Sequence, residues 1–291
     1  DTPAKYNRNS GIISLFLITI LFSNTICLFL LQLGHSSTKK ESQKKWLILF
    51  GFYAVNLIFS FGHLIGNFQA KAYIPSFVFW ISSIFLGLFQ KQKKQEDSSL
   101  ILGLAFLSLS SALLMLYTSN DPGIRAIETW GLICQLIILV LFPLFIIRNF
   151  NGLIKLNLPI YKVVDKPQFL PTYILFIGVL ILGSAFVFAL NGGAYHQVTA
   201  AKYNADGELA QILKDPFLAE INYKQGLIHS KLNAKGNTSL ARIAYQENKI
   251  EELAYYLSTS QVKFPNEKIA IALSNIYQKE NHLFESLFAR S

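Results

Sequence analysis

Charge is scarce in this chain, and the scarcity is uneven. Asp, Glu, Lys and Arg supply 15% of the 291 residues while hydrophobic residues supply 52%, which is too apolar for an ordinary water-soluble domain of this length. Cysteine is scarcer still. Cys27 and Cys134 are the only two, and each lies inside an apolar run, so they define neither a disulfide framework nor a redox compartment. No glycine-rich phosphate loop is present. No His, Cys, Asp and Glu cluster stands at metal-ligand spacing, so no metal or cofactor is expected.

What is present divides sharply. Residues 1–194 hold fifteen Lys and Arg and seven Asp and Glu, nearly all outside long apolar stretches, whereas residues 195–291 hold eleven and ten in mixed order. The first part therefore reads as a membrane domain and the second as a water-soluble one. The excess positive charge is scattered over loop ends, not gathered on one face, which argues against a nucleic-acid partner and for orientation in a bilayer.

A helix needs roughly 20 apolar residues to cross the ~30 Å hydrocarbon layer, because lipid offers the backbone no hydrogen-bond partner. Six runs come within a few residues of that length: 11–34, 46–66, 73–90, 99–118, 130–147 and 170–191. The third and fifth are the shortest. The first is longer than the apolar core of a cleaved secretory signal. The expectation is an all-α fold, polytopic with about six transmembrane helices, with Trp46, Tyr73 and Trp130 as interfacial rings at the starts of runs.

Positive charge retained on the cytoplasmic side gives the orientation. Eleven Lys and Arg fall in the first, third and fifth loops, against Lys71, Arg125, Lys5 and Arg8 on the opposite side. An even number of spans then places both termini outside the cytoplasm, in the periplasm if this is a bacterial cytoplasmic membrane. Membrane lipids and other protein subunits are the expected partners.

From about Asp206 apolar residues recur every three or four positions, as in amphipathic helices joined by short turns. LARIAYQENKIEELAYYL (240–257) returns after Pro265 as IALSNIYQKENHLFESLF, pairing Tyr245 with Tyr277, Gln246 with Gln278 and Ile250 with Leu283. The offset is close to the period of a helix-turn-helix repeat. On those residues the tail, from about 238 to 288, resembles the tetratricopeptide repeat family, with Ala241, Tyr245, Ala254 and Pro265, then Leu273, Tyr277 and Ser286, at its characteristic positions. The Trp and Gly usual in helix A are absent, and residues 206–237 match no repeat. The resemblance implies a surface that holds a peptide or helix of another protein, and no reaction. Tyr245, Gln246, Tyr277 and Gln278 are the expected partner-binding residues.

None of the six runs contains Asp, Glu, Lys or Arg. Proton-coupled transporters, pumps and voltage sensors need such charges. His63 is the one residue inside a run that titrates near neutral pH, and Asn67 follows it one helical turn later. This pairing is similar to one in rhomboid intramembrane proteases, but the Gly-x-Ser-Gly nucleophile segment is absent and the next His, His196, lies beyond the sixth run. His63, Asn67 and His196 are thus weak catalytic candidates. A haem held by His63 and His196 is disfavoured, because His196 is not within a span. The reading that fits best is a non-enzymatic accessory or scaffold subunit of a membrane complex. A membrane enzyme working on lipid, glycan or peptide at the outer face, or a haem-bearing electron-transfer subunit, is the alternative.

Overall fold

The computed structural model describes residues 16–34, 39–64, 76–93, 99–156, 158, 160, 163, 164, 166–189, 193–262 and 267–279. Their regular structure is helical throughout, without a strand. Two compact units emerge: Asp1–Leu113 with Ile127–Gly192, and Leu114–Ala126 with Gly193–Ser291. The segment 114–126, part of the membrane domain in the sequence reading, thus belongs with the tail.

The first unit is drawn from α1 (residues 16–22), α2 (Thr25–Gly34), α3 (Lys39–Leu64), α4 (Ser76–Lys93), α5 (Ser99–Tyr117), α6 (Asp121–Lys155) and α7 (Tyr173–Ala189). Two stretches are long and apolar enough to cross a membrane, Phe16–Leu33 and Asp121–Lys155. Leu47–Gly62, Ile101–Tyr117 and Tyr173–Val187 are apolar but shorter. Among the described residues, two full-length spans stand where the sequence led to about six, and local chemistry shapes the runs. A turn at Ser23 and Asn24 interrupts the first, with the Ser23 hydroxyl donating to the Ile20 carbonyl. Pro171 precedes α7 and delays its start to Tyr173. The fifth run, by contrast, lies within the longest helix, 35 residues, or about 52 Å at ~1.5 Å per residue. That helix carries Pro143 and loses helical geometry at Phe150 (φ −129°, ψ 21°).

This unit turns many large apolar side chains outward around its apolar core, and buries several polar ones. Phe52, Ile58, Phe106, Leu113, Leu144 and Ile181 are exposed, whereas Thr19, Thr25, Ser60, Ser83, Ser108, Gln135 and Asn149 are buried. Leaving a Leu, Ile or Phe in water forgoes about 1.5–3 kcal/mol each, so outward faces of this kind belong against hydrocarbon. The chain is membrane-associated. Inside the unit, Thr25 donates across helices to the Ser83 carbonyl at 2.9 Å, while Ser108, Ser110 and Ser111 bond carbonyls of their own helix. Trp130 is not an interfacial ring: it is buried, edge-on to Phe16 at 5.0 Å and close to Gly183. Trp46 and Tyr73 lie outside the described side chains. Asn149 makes four bonds, accepting from the Phe169 and Leu170 amides at 2.8 Å and donating to the Phe145 and Leu170 carbonyls at 3.1 Å.

The second unit contains α8 (Gly193–Ile212), α9 (Pro216–His229), α10 (Ala234–Gln246), α11 (Ile250–Gln261) and α12 (Glu267–Lys279). Each packs on the next. The ends have local causes. Asp215 caps α9 by accepting from the Leu218 amide at 2.9 Å, with Pro216 in the first turn. Lys214 and Asn248 take left-handed backbone angles between helices, favourable for Asn and costly for Lys. From the start of α9 at Pro216 to that of α11 at Ile250, and from the start of α10 at Ala234 to that of α12 at Glu267, the chain advances by about one helix-turn-helix repeat. Residues 206–237 carry no repeat pattern, yet they form the end of α8 and all of α9. The core is Ala210, Ala219, Tyr223, Leu240, Ala241, Ile243, Ala244, Leu253 and Tyr256, in which small residues let the helices approach.

Two helices come close at Gly207, where an added Cβ meets the Tyr223 ring at 2.8 Å. Tyr223 is fully buried and its ring has no room to retreat. Gly207→Ala is expected to destabilise this unit by about 1–3 kcal/mol through overpacking. Gly193→Ala, where nothing lies within 4 Å, is expected to leave it unchanged. Thermal unfolding of the two variants in detergent checks this.

Candidate functional site

Two polar constellations stand out in the second unit, a buried asparagine network and a histidine pair. Asn204 on α8 and Asn233 before α10 face each other with both side-chain amides paired, each donating Nδ2–H to the other's Oδ1 at 3.0 Å. Asn204 also donates to Asn120 Oδ1 at 3.2 Å, and Asn120 donates to the Ala201 carbonyl at 2.9 Å. Asn233 Oδ1 accepts as well from the Gly236 amide at 2.9 Å, capping α10. Asn237 donates to the Lys231 and Asn233 carbonyls. All four asparagines are buried, where each unpaired amide would cost on the order of 1–3 kcal/mol.

Asp121 follows Asn120 and reaches the same helix. Its carboxylate accepts from the Ala234 amide at 3.2 Å and from the Lys235 amide at 3.0 Å, placing a negative charge at the positive end of α10. Lys235 in turn pairs with Glu208 on α8. Gly226 packs tightly here, since an added Cβ would come within 3.1 Å of Asn204 Oδ1. The segment 114–126 is thereby bonded to α8 and α10. Burial pushes the nearby Tyr223 phenol above its ordinary value, so it stays neutral at physiological pH.

The second constellation joins His196, in the first turn of α8, to His229, the last residue of α9. Their Nδ1 atoms stand 3.3 Å apart, with ring centroids 5.6 Å apart and planes 31° from parallel. Tyr203 stacks on His229 at 5.9 Å and 12°. Tyr195 meets His196 edge-on at 5.7 Å.

Of the residues singled out in the sequence, His196 is therefore paired with His229 within the tail. His63 lies in the last turn of α3, but its side chain and Asn67 fall outside the described residues. Tyr245 is 71% exposed, and Gln246 and Gln278 are also exposed, while Tyr277 is half-buried. His229 and the asparagines escape sequence reasoning. Asn120 with Asp121 and Asn204 with Asn233 are far apart along the chain, and asparagine in a turn is ordinarily explained by the turn itself. The one hint is spacing, since His196 and His229 are separated by close to one repeat period.

Among the described residues no group of three or more His, Cys, Asp and Glu stands together. In the first unit an apolar furrow between α6 and α7 is lined by Ile133, Ile137, Val140, Leu182 and Phe186. Comparisons of the chain with protein-family models, curated proteins and solved structures find no match.

Asn204→Ala removes the acceptor of Asn233 Nδ2 and the donor to Asn120 Oδ1, and is expected to cost roughly 2–4 kcal/mol. Asp121→Asn keeps the shape but removes the charge at the start of α10, for an expected loss of about 0.3–1 kcal/mol. Thermal unfolding and the onset of proteolysis within 193–262 measure both. Equal stability of Asn204→Ala and the parent would contradict the network's role.

Proposed function

We propose that this chain is a non-enzymatic accessory or scaffold subunit of a membrane protein complex. About six membrane-spanning helices anchor it, and the tail carries a tetratricopeptide-like stack of helical hairpins that binds a partner protein outside the cytoplasm. The observation that carries this reading is the surface of the tail: large apolar side chains stand exposed on a domain of sequentially packed helices. Phe217 is 72% exposed, Tyr245 71% and Tyr255 54%. Exposed rings of this size are enriched where proteins bind one another.

Repeat geometry supports the resemblance, because α11 starts about one repeat length after α9, and α12 after α10. Ala241 and Leu273, two of the characteristic positions, are buried. Topology has support from an independent quarter. Residues 114–126 and the tail form one compact unit, so they occupy one side of the membrane, which requires an even number of crossings between them. The runs at 130–147 and 170–191 supply two. The charge bias then puts that side outside the cytoplasm, which is the periplasm if the membrane is a bacterial cytoplasmic one.

Two measurements test the reading. Native Cys27 and Cys134 are buried, so a single introduced cysteine reports its own location. Lys249→Cys is expected to react with an impermeant maleimide in intact cells, and Leu158→Cys only after permeabilisation. The reverse pattern would invert the topology. Capture from mild detergent is expected to recover defined subunits with the parent and to lose at least one of them with Tyr245→Ser combined with Gln246→Ala and Gln278→Ala. Recovery of the chain alone in both cases would leave no scaffold role.

A further inference from the structure

The two histidines carry a consequence beyond tethering. A hydrogen bond between ring nitrogens is expected near the ~2.7–3.2 Å range of N–H donors, and 3.3 Å lies at its loose end. Two nitrogens bound to one tetrahedral ion at ~2.0–2.1 Å, in contrast, stand about 3.3–3.4 Å apart. We propose that His196 and His229 form a binding site for a divalent transition ion, Zn2+, Cu2+ or Ni2+, held by Nδ1 of both rings.

Three features favour this assignment. The rings are already held by their neighbours, His229 by stacking on Tyr203 and His196 by the edge of Tyr195, so little ordering is left for the ion to impose. His229 is the last residue of α9, where the negative end of the helix dipole attracts a cation. The opposite dipole at the start of α8, where His196 sits, works against it, which makes His229 the stronger ligand. Finally, imidazole nitrogen selects Zn2+, Cu2+ and Ni2+ over Mg2+ and Ca2+, which prefer oxygen.

No third His, Cys, Asp or Glu joins the pair among the described residues, so water fills the remaining positions. The site is then exchangeable. With half the protein ligands of a structural zinc site, its dissociation constant falls roughly between 1 and 100 µM. The ion bridges the first turn of α8 and the last of α9, clasping the two helices where no covalent link joins them.

The test uses the full chain in mild detergent, purified with a tag that contains no histidine and stripped with EDTA. Titrated Cu2+ is expected to give one equivalent of a type 2 electron paramagnetic resonance signal with coupling to two nitrogens. Zn2+ is expected to raise the unfolding midpoint. Both effects are expected to be lost in His196→Gln and in His229→Gln, the midpoint of each variant with Zn2+ being compared with its own midpoint in EDTA. His229→Asn repeats the test should the Gln variant fail to fold. Retention of the two-nitrogen signal in either variant would place the ion at other histidines and overturn the site, as would a parent that binds no Cu2+ at these concentrations.

Discussion

A buried amide must find its hydrogen bonds within the protein, and this requirement shapes both units of the chain. In hydrocarbon the backbone of an unpaired segment satisfies it only as helix, which is why the regular structure described for the membrane part is helical. Asn149 extends the rule to a side chain: its four bonds satisfy its amide and fix the chain entering α7. In the tail the same requirement locks Asn204 against Asn233, and Asn204 in turn holds the turn at Asn120. Losing one member of such a network would cost more than its own bond, and the pairing of Asn204 with Asn233 and Asn120 ties α8 to the start of α10 and to the turn.

That network also redraws the boundary between the parts. Hydropathy divides the chain once, near residue 194, because it averages over neighbours in sequence. Hydrogen bonds divide it by partner, and the partners of Asn120 and Asp121 are on α8 and at the start of α10. The long helix α6 accordingly starts in one unit and continues in the other. The first turn of α6, at Asp121, is thus bonded within the same unit as α8 and α10.

The sites show where sequence reasoning runs short. His196 is legible as the first histidine beyond the last apolar run, but a catalytic or haem reading seeks its partner inside the membrane. Its neighbour is His229, one hairpin later, brought near by the return of α9 along α8. Tyr245 occupies a repeat position that the sequence reading assigns to the partner-binding surface. It stands exposed, while Ala241 and Ala244 of the same helix join the core.

By itself the sequence determined the class of the protein. Long apolar runs without charge require a membrane, and residues spaced three and four apart require helices in the tail; both follow from local composition and period, which need no knowledge of what lies across the fold. Tertiary structure alone decided which apolar faces turn outward, where α6 begins and ends, that Trp130 is core and not interface, and which asparagines and histidines meet. Those outcomes depend on pairs far apart along the chain, and hydrogen-bond geometry is not written in any local pattern.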